Sequence, residues 1–257
     1  MQPKKGNMLS VVILTKNEEK NIVDCIDSVS FCDEVIVIDD NSDDRTVELA
    51  KRAKTKVFTR ALDNDFSTQR NFGLEKAEGE WVLFVDADER IAFELAIEIQ
   101  DLLRLSKSLE SNAFFIKRRD VMWGRELMYG ETGNIKLLRL ARKNVGQWKG
   151  KVHETWKING QIGELQNSIL HYPHPTIAQF LEEINFYTDL RAKELYEKGI
   201  KVHWWSIIGY PKVKFLINYF LKRGFRDGVP GLMFALMMSF HSFLVRGKLW
   251  SLWEQKK

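Results

Sequence analysis

The 257 residues, 44% hydrophobic and 29% charged, have the proportions of an ordinary folded soluble protein, enough for one sizeable core or one domain with an appendage. Two cysteines, Cys25 and Cys32, exclude a disulfide framework, and the apolar run after the basic N-terminus, residues 11–14, is too short for a signal peptide, so a cytoplasmic location is expected. The net charge of +4 divides unevenly: from residue 201 onward ten Lys/Arg face two Asp/Glu (+8), against 29 and 33 before it (−4), and such a basic tail is expected to meet an anionic surface.

In chain order, the β-branched run at residues 9–14 predicts a buried strand that ends at Thr15-Lys16-Asn17-Glu18. Helical spacing follows through Ile22, Ile26 and Val29. A second buried strand at 34–38 closes on Asp39-Asp40-Asn41-Ser42, and residues 46–53 predict a helix. Residues 56–59 read as a short strand, 67–76 as a helix containing Arg70, and 81–85 as a fourth strand ending at Asp86. Strands alternating with helices imply a mostly parallel sheet with right-handed crossovers, whose ligands sit beyond the carboxyl ends of the strands. After Ile91 an amphipathic helix runs to about Leu105. Strands are then predicted at 113–118 and 135–142, shorter ones within 148–156 and 163–170, and a long helix over 175–198.

Three strand ends carry Asp, Asn or Glu, so several polar loops converge on one rim. In Asp86-Ala87-Asp88 two carboxylates point the same way if the strand continues, and their repulsion is relieved by a cation between them. Mg²⁺ or Mn²⁺ bound there would neutralise a diphosphate leaving group. Taken singly, the same residues also suit an acidic turn, a helix cap and a surface arginine.

Their order is more specific. The runs Val11-Val12-Ile13-Leu14-Thr15-Lys16-Asn17-Glu18, Val35-Ile36-Val37-Ile38-Asp39-Asp40-Asn41-Ser42, Gln69-Arg70-Asn71-Phe72-Gly73-Leu74 and Trp81-Val82-Leu83-Phe84-Val85-Asp86-Ala87-Asp88-Glu89 closely resemble family 2 glycosyltransferases. Lys151-Val152-His153-Glu154 and the ending Tyr219–Gly228 with Lys248-Leu249-Trp250 resemble, within that family, the bacterial glucosyltransferases of lipopolysaccharide core assembly. The resemblance implies the GT-A fold (α/β, a Rossmann-like mostly parallel sheet flanked by helices), inversion at the anomeric centre, and a UDP-sugar donor. It further implies that Asn17 and Glu18 border the nucleoside, Asp40 hydrogen-bonds the base, Arg70 faces the nucleotide, Asp86 contacts ribose or sugar, and Asp88 binds metal. One departure is Lys16, where some relatives carry an aromatic residue.

Inversion by direct displacement needs a general base at the acceptor hydroxyl. Glu154, matching the family's His-Glu pair, is the candidate, and Glu131 in Tyr129-Gly130-Glu131-Thr132-Gly133 is the alternative. His171, in preference to His174, is the expected further metal ligand. The expected domains are a GT-A catalytic domain at 1–200 (nucleotide-sugar half about 8–90, acceptor half about 91–200) and a basic, aromatic, amphipathic helical tail at 201–257. Residues 228–245 carry no Lys, Arg, Asp or Glu, and basic and aromatic flanks suit a membrane interface. The expected reaction moves a hexose from a UDP-sugar to a lipid-linked or oligosaccharide acceptor at the inner face of the cytoplasmic membrane, with no nucleic-acid partner and the oligomeric state left open. Alternatives are a polyprenyl phosphate or protein acceptor, or a non-catalytic scaffold for envelope assembly.

Overall fold

A strand buried on both faces can satisfy its backbone groups only through neighbouring strands, and three apolar runs of the first ninety residues do so side by side, with a fourth, half-exposed strand at the edge. The structure, a computed structural model, describes residues 8–63, 65–151, 154–174 and 176–255. Strands β1 (Leu9–Thr15), β2 (Glu34–Asp39), β3 (Lys56–Thr59) and β4 (Trp81–Asp86) pair in parallel in the order β3-β2-β1-β4. Helices α1 (Ile22–Ser28), α2 (Thr46–Arg52) and α3 (Phe66–Lys76) make the connections.

Alternation along β1 divides the core. Val11 and Ile13 pack with Val37, Leu83 and Val85 against Ile22, Cys25 and Ile26 of α1 and against Leu95 and Ile99 of α4 (Phe93–Arg104). Val12 faces the other way, with Ile36, Phe84 and Leu74 of α3. Gly73 lets α3 lie close to the sheet, because a Cβ there would sit 2.4 Å from Val12 Cγ1.

Beyond β4 the sheet turns antiparallel. It continues through β8 (Ile135–Arg142), β6 (Ser111–Met122), β11 (Gln161–His171) and β5 (Glu89–Ile91). The β11–β5 register sets His171 opposite Glu89, one residue from Asp88. A separate hairpin, β9 (Gly146–Lys149) with β10 (Thr155–Ile158), pairs Trp148 with Trp156 and stacks their rings at 5.1 Å. Both indoles meet Phe84 of β4 edge-on, at 5.2 and 5.1 Å, which fixes the hairpin on the sheet. The expected α/β architecture, a mostly parallel sheet flanked by helices and followed by a helical C-terminal region, is the one observed.

The chain divides into two units. The first comprises the chain up to Arg118 with Ile135–His171; the second comprises Arg119–Asn134 and the chain from Tyr172 onward. The second unit contains the end of β6 paired with β7 (Arg125–Glu126), and the helices α5 (Ile177–Glu197), α6 (Trp204–Leu216) and α7 (Gly228–Glu254). The helical unit thus begins earlier than residue 201. The reason is packing: Phe180, Ile184 and Ala192 form a buried stripe on α5, and Phe180 and Ile184 join Phe234 of α7 in one apolar cluster. Lys248 fastens the pair, donating to Asn185 and Thr188 and bridging Asp189 at 2.9 Å. The charge-free run 228–245 lies in α7, which is long and apolar enough to cross a membrane by length and composition. Asp227, at the head of α7, accepts from the backbone N–H of Met128 and Tyr129.

Candidate active site

The carboxyl ends of β1 and β2 are knitted into one polar edge. Asn17 and Asn41 adopt left-handed backbone, at φ 55° and 51°, a conformation that asparagine tolerates. The Asn17 N–H donates to Ser42 Oγ at 2.8 Å, and Asp43 N–H returns a bond to Asn17 Oδ1 at 2.9 Å. Asp40 accepts from Leu62 N–H and from Lys16 Nζ, each at 2.8 Å, and this hydrogen bond and charge raise the lysine's pKa. Glu18 accepts from Asn21 Nδ2 at 2.7 Å. Burial raises its pKa above the usual carboxylate range, and the negative charge of Asp88 adds to the effect.

At the end of β4 lies a dense ion cluster. Arg70, 4% exposed, reaches from α3 to Asp86 Oδ1 at 3.0 Å and to Glu154 Oε1 at 2.7 Å. Its guanidinium lies 4.9 Å from the centre of the Trp148 ring. From β8, Arg139 reaches Asp86 Oδ2 at 2.5 Å and Glu89 Oε1 at 3.4 Å. The fully buried Glu89 also accepts the Asp86 N–H at 2.9 Å. Burial opposes the charge on Asp86, but the guanidiniums of Arg139 and Arg70 outweigh it and hold the carboxyl well below its usual range. For Glu89 burial wins, and its pKa is raised despite Arg139.

Asp88 has different surroundings. Strand β4 stops at Asp86, and Ala87-Asp88 forms a turn, so the two carboxylates do not share a direction as continued alternation would require. Asp86 turns to two guanidiniums, whereas Asp88 Oδ2 faces His171 Nε2 at 3.1 Å. The repulsion expected to draw a cation between the aspartates is therefore relieved by arginine. Among the described residues no three His, Cys, Asp or Glu side chains cluster as a metal site. Asp88 and His171 nevertheless fit a divalent ion as a pair: their spacing is close to the ~3.0 Å between adjacent ligands of an octahedral ion with bonds of about 2.1 Å, and such ions complete their shells with phosphate and water.

Beside Glu154 a cavity of about 500 Å³ is lined by Arg70, Arg139, Lys136, Trp148, Trp156 and Lys157 among others. Arg70 Nη1, Arg139 Nε and both indole N–H groups have no hydrogen-bond partner among the described residues. The cavity thus sets the Glu154 carboxylate beside Arg70, Arg139, Lys136 and Lys157, a mostly cationic lining that suits an oxygen-rich ligand.

The structure thus gathers Arg70, Asp86 and Glu154 into one cluster, pairs Asp88 with His171, and sets Asn17, Glu18 and Asp40 on two interlocked loops. His174 is elsewhere, stacked on Phe180 and 3.2 Å from Glu183. Glu131 belongs to the second unit, where Lys214 and Asn218 bind its carboxylate. His153 of the expected His-Glu pair, with Val152, lies outside the described residues. Sequence reasoning missed Arg139 and Glu89. Glu89 directly follows the Asp-x-Asp, and Arg139 interrupts an apolar stretch of β8, which are the only local signals of either.

Residues 10–153 match the family described as Glycosyl transferase family 2. The chain is 30% identical over 252 residues to an uncharacterised glycosyltransferase of Rickettsia typhi, with 94% of this chain and 86% of that protein covered. It is 29% identical over 250 residues to the lipopolysaccharide core biosynthesis glycosyltransferase LpsC of Rhizobium meliloti, covering 94% and 92% of the two chains. Among solved structures it is similar to TarS 1–349 of Staphylococcus aureus in complex with UDP-GlcNAc, at 18% identity, with 97% and 92% coverage and a TM-score of 0.47.

Proposed function

The chain belongs to the family 2 glycosyltransferases, and from that premise we propose that it transfers a hexose, glucose in our reading, from a UDP-sugar to a hydroxyl of a lipid-linked saccharide such as lipopolysaccharide core. The acceptor class is supported by the likeness to LpsC over most of both chains. The observation that carries the mechanism is Glu154 held on Arg70 beside Asp86, with the Asp88–His171 pair on the same strand end.

In this reading Asn17 and Glu18 border the nucleoside and Asp40 accepts from the base. Asp86, anchored by Arg70 and Arg139, presents its exposed edge to the ribose or sugar. Glu154 takes the proton of the acceptor hydroxyl as that oxygen bonds to the anomeric carbon and UDP departs from the opposite face. Arg70 keeps the Glu154 carboxylate oriented through its 2.7 Å hydrogen bond. A bound Mg²⁺ or Mn²⁺ supplies charge neutralisation at the diphosphate, and Asp88 with His171 are the residues to hold it. Donor binding and transfer belong to the first unit. The helical unit, with exposed Trp204, Trp205, Ile208 and Leu216 on α6, rests on the inner face of the cytoplasmic membrane.

The test is release of UDP, GDP or dTDP from a panel of sugar nucleotides, with and without Mn²⁺. UDP-sugar turnover should require metal and disappear in Asp88→Asn. Glu154→Gln should keep donor affinity while transfer falls by about 10²–10⁴-fold. Unimpaired transfer in Glu154→Gln would favour a phosphate acceptor, which needs no base; no response to any donor would refute the reading.

A further inference from the structure

Between α6 and α7, wholly inside the second unit, lies a cavity of about 620 Å³, within the size range of small-ligand sites. Its lining contains four cationic side chains, Arg191, Lys201, Lys214 and Arg246, and no carboxylate. Arg191 and Lys214 are neutralised from outside it, by Glu194 and Glu131, each at 2.5 Å. Lys201 and Arg246 have no carboxylate partner among the described residues. Arg246 is nonetheless held in place: its guanidinium lies 3.6 Å from the centre of the Tyr210 ring, and Nη1 donates to Ser242 Oγ at 3.1 Å. A guanidinium fixed by an aromatic face and a hydroxyl, with its charge unanswered, is arranged to receive an anion.

Beside His203, Ser206, His241 and Ser242, the wall carries a broad apolar surface that includes Leu195, Val213, Ile217 and Val245. A soluble anion would leave that surface facing water. The same α6 exposes Trp204, Trp205, Ile208, Val213 and Leu216, each at least half exposed. Cationic and apolar walls in one cavity, on a helix bearing that surface, match a molecule with a phosphate at one end and hydrocarbon at the other.

We propose that this cavity binds the phosphate headgroup of an anionic membrane lipid, with Arg246 and Lys201 on the phosphate and the apolar wall on the first carbons of the acyl chains. The proposal rests on the membrane reading of the helical unit and sharpens it, from diffuse attraction of a basic tail to one headgroup site.

The full chain is sedimented with vesicles of phosphatidylcholine alone and of phosphatidylcholine with about one-third phosphatidylglycerol. Binding to the mixed vesicles should be the tighter, and Arg246→Gln and Lys201→Gln should each weaken it by about five-fold or more, the value of one basic group at an anionic surface. Lys212→Gln, an exposed α6 lysine outside the cavity lining, should change it by less than either. Lys201 is exposed, so its variant remains informative even where Arg246→Gln disturbs folding, which circular dichroism checks. Equal losses in all three variants, or equal binding to both vesicle types, would overturn the headgroup site and leave the membrane reading intact. No binding to either vesicle would overturn both. Competition by glycerol phosphate as effective as that by lipid would assign the cavity to a soluble phosphate ester and overturn the lipid proposal.

Discussion

Arg139→Met is the most direct probe of the ion cluster, because it removes the guanidinium that reaches Glu89. In the native chain Arg139 is 4% exposed and lies 2.5 Å from Asp86 and 3.4 Å from Glu89, which is fully buried. Asp86 also has Arg70 at 3.0 Å, so the damage should fall on Glu89, which would be left with the Asp86 N–H for support in the cluster. Breaking a buried pair by deleting one partner costs about 3–5 kcal/mol. A chain of this size loses about 2–4 °C per kcal/mol, so the unfolding midpoint should fall by about 6–20 °C. The pH dependence identifies the cause. Glu89 is raised above its ordinary value of 4.5, so its ionised form is penalised in the fold, and the penalty lifts as pH falls and the group protonates. Asp86 has the opposite sign: it is depressed below 3.8, and its contribution is lost only in more acid solution. Between about pH 8 and about pH 5 the defect of Arg139→Met should therefore shrink, and adding Glu89→Gln should restore much of the stability at the higher pH. Urea unfolding followed by circular dichroism measures both effects. A loss below about 1 kcal/mol, or one that is the same at both pH values, would refute the assignment of buried, uncompensated charge to Glu89.

Two further outcomes test the packing of the first unit. Gly73→Ala should cost about 1–3 kcal/mol, because the new Cβ meets Val12 at 2.4 Å and α3 must lift from the sheet, carrying Arg70 with it. Thermal unfolding reads the cost, and an unchanged midpoint would show that the close approach is not needed. Burial pushes the thiol of Cys32 up to about 12 and that of Cys25 higher still, so neither should react with maleimide at neutral pH until urea opens the fold. Labelling of the native protein at the rate of a free thiol would contradict that packing.

The strands and helices of the first ninety residues are legible because their signals are local: β-branched runs close on Asn or Asp, and α3 carries its own glycine. What is not legible is long-range pairing. Nothing in the run around Ile169 says that β11 lies antiparallel to β5, yet that register alone brings His171 to Asp88. Arg139 and Arg142 look alike in sequence, both cationic in one strand, but β4–β8 pairing buries the first against Asp86 and leaves the second with Glu80. The stripe of α5 announces an amphipathic helix without naming its partner, so only its packing on α7 assigns it to the helical unit.

The same limit explains the Asp-x-Asp. Its spacing suggested two equivalent carboxylates needing one cation, and spacing cannot reveal what charge the rest of the fold supplies. Two arginines, from α3 and β8, answer Asp86, and the strand ends there, so Asp88 turns toward a histidine 83 residues later in the chain. The two aspartates consequently have different work. Asp86 carries a permanent negative charge in a structural cluster, and through Arg70 it is mechanically linked to Glu154. Asp88 is the member of the motif without a guanidinium partner in that cluster, the property a cation ligand requires. A substitution at Asp86 should therefore disturb the arginine that also holds Glu154, and one at Asp88 the pairing with His171.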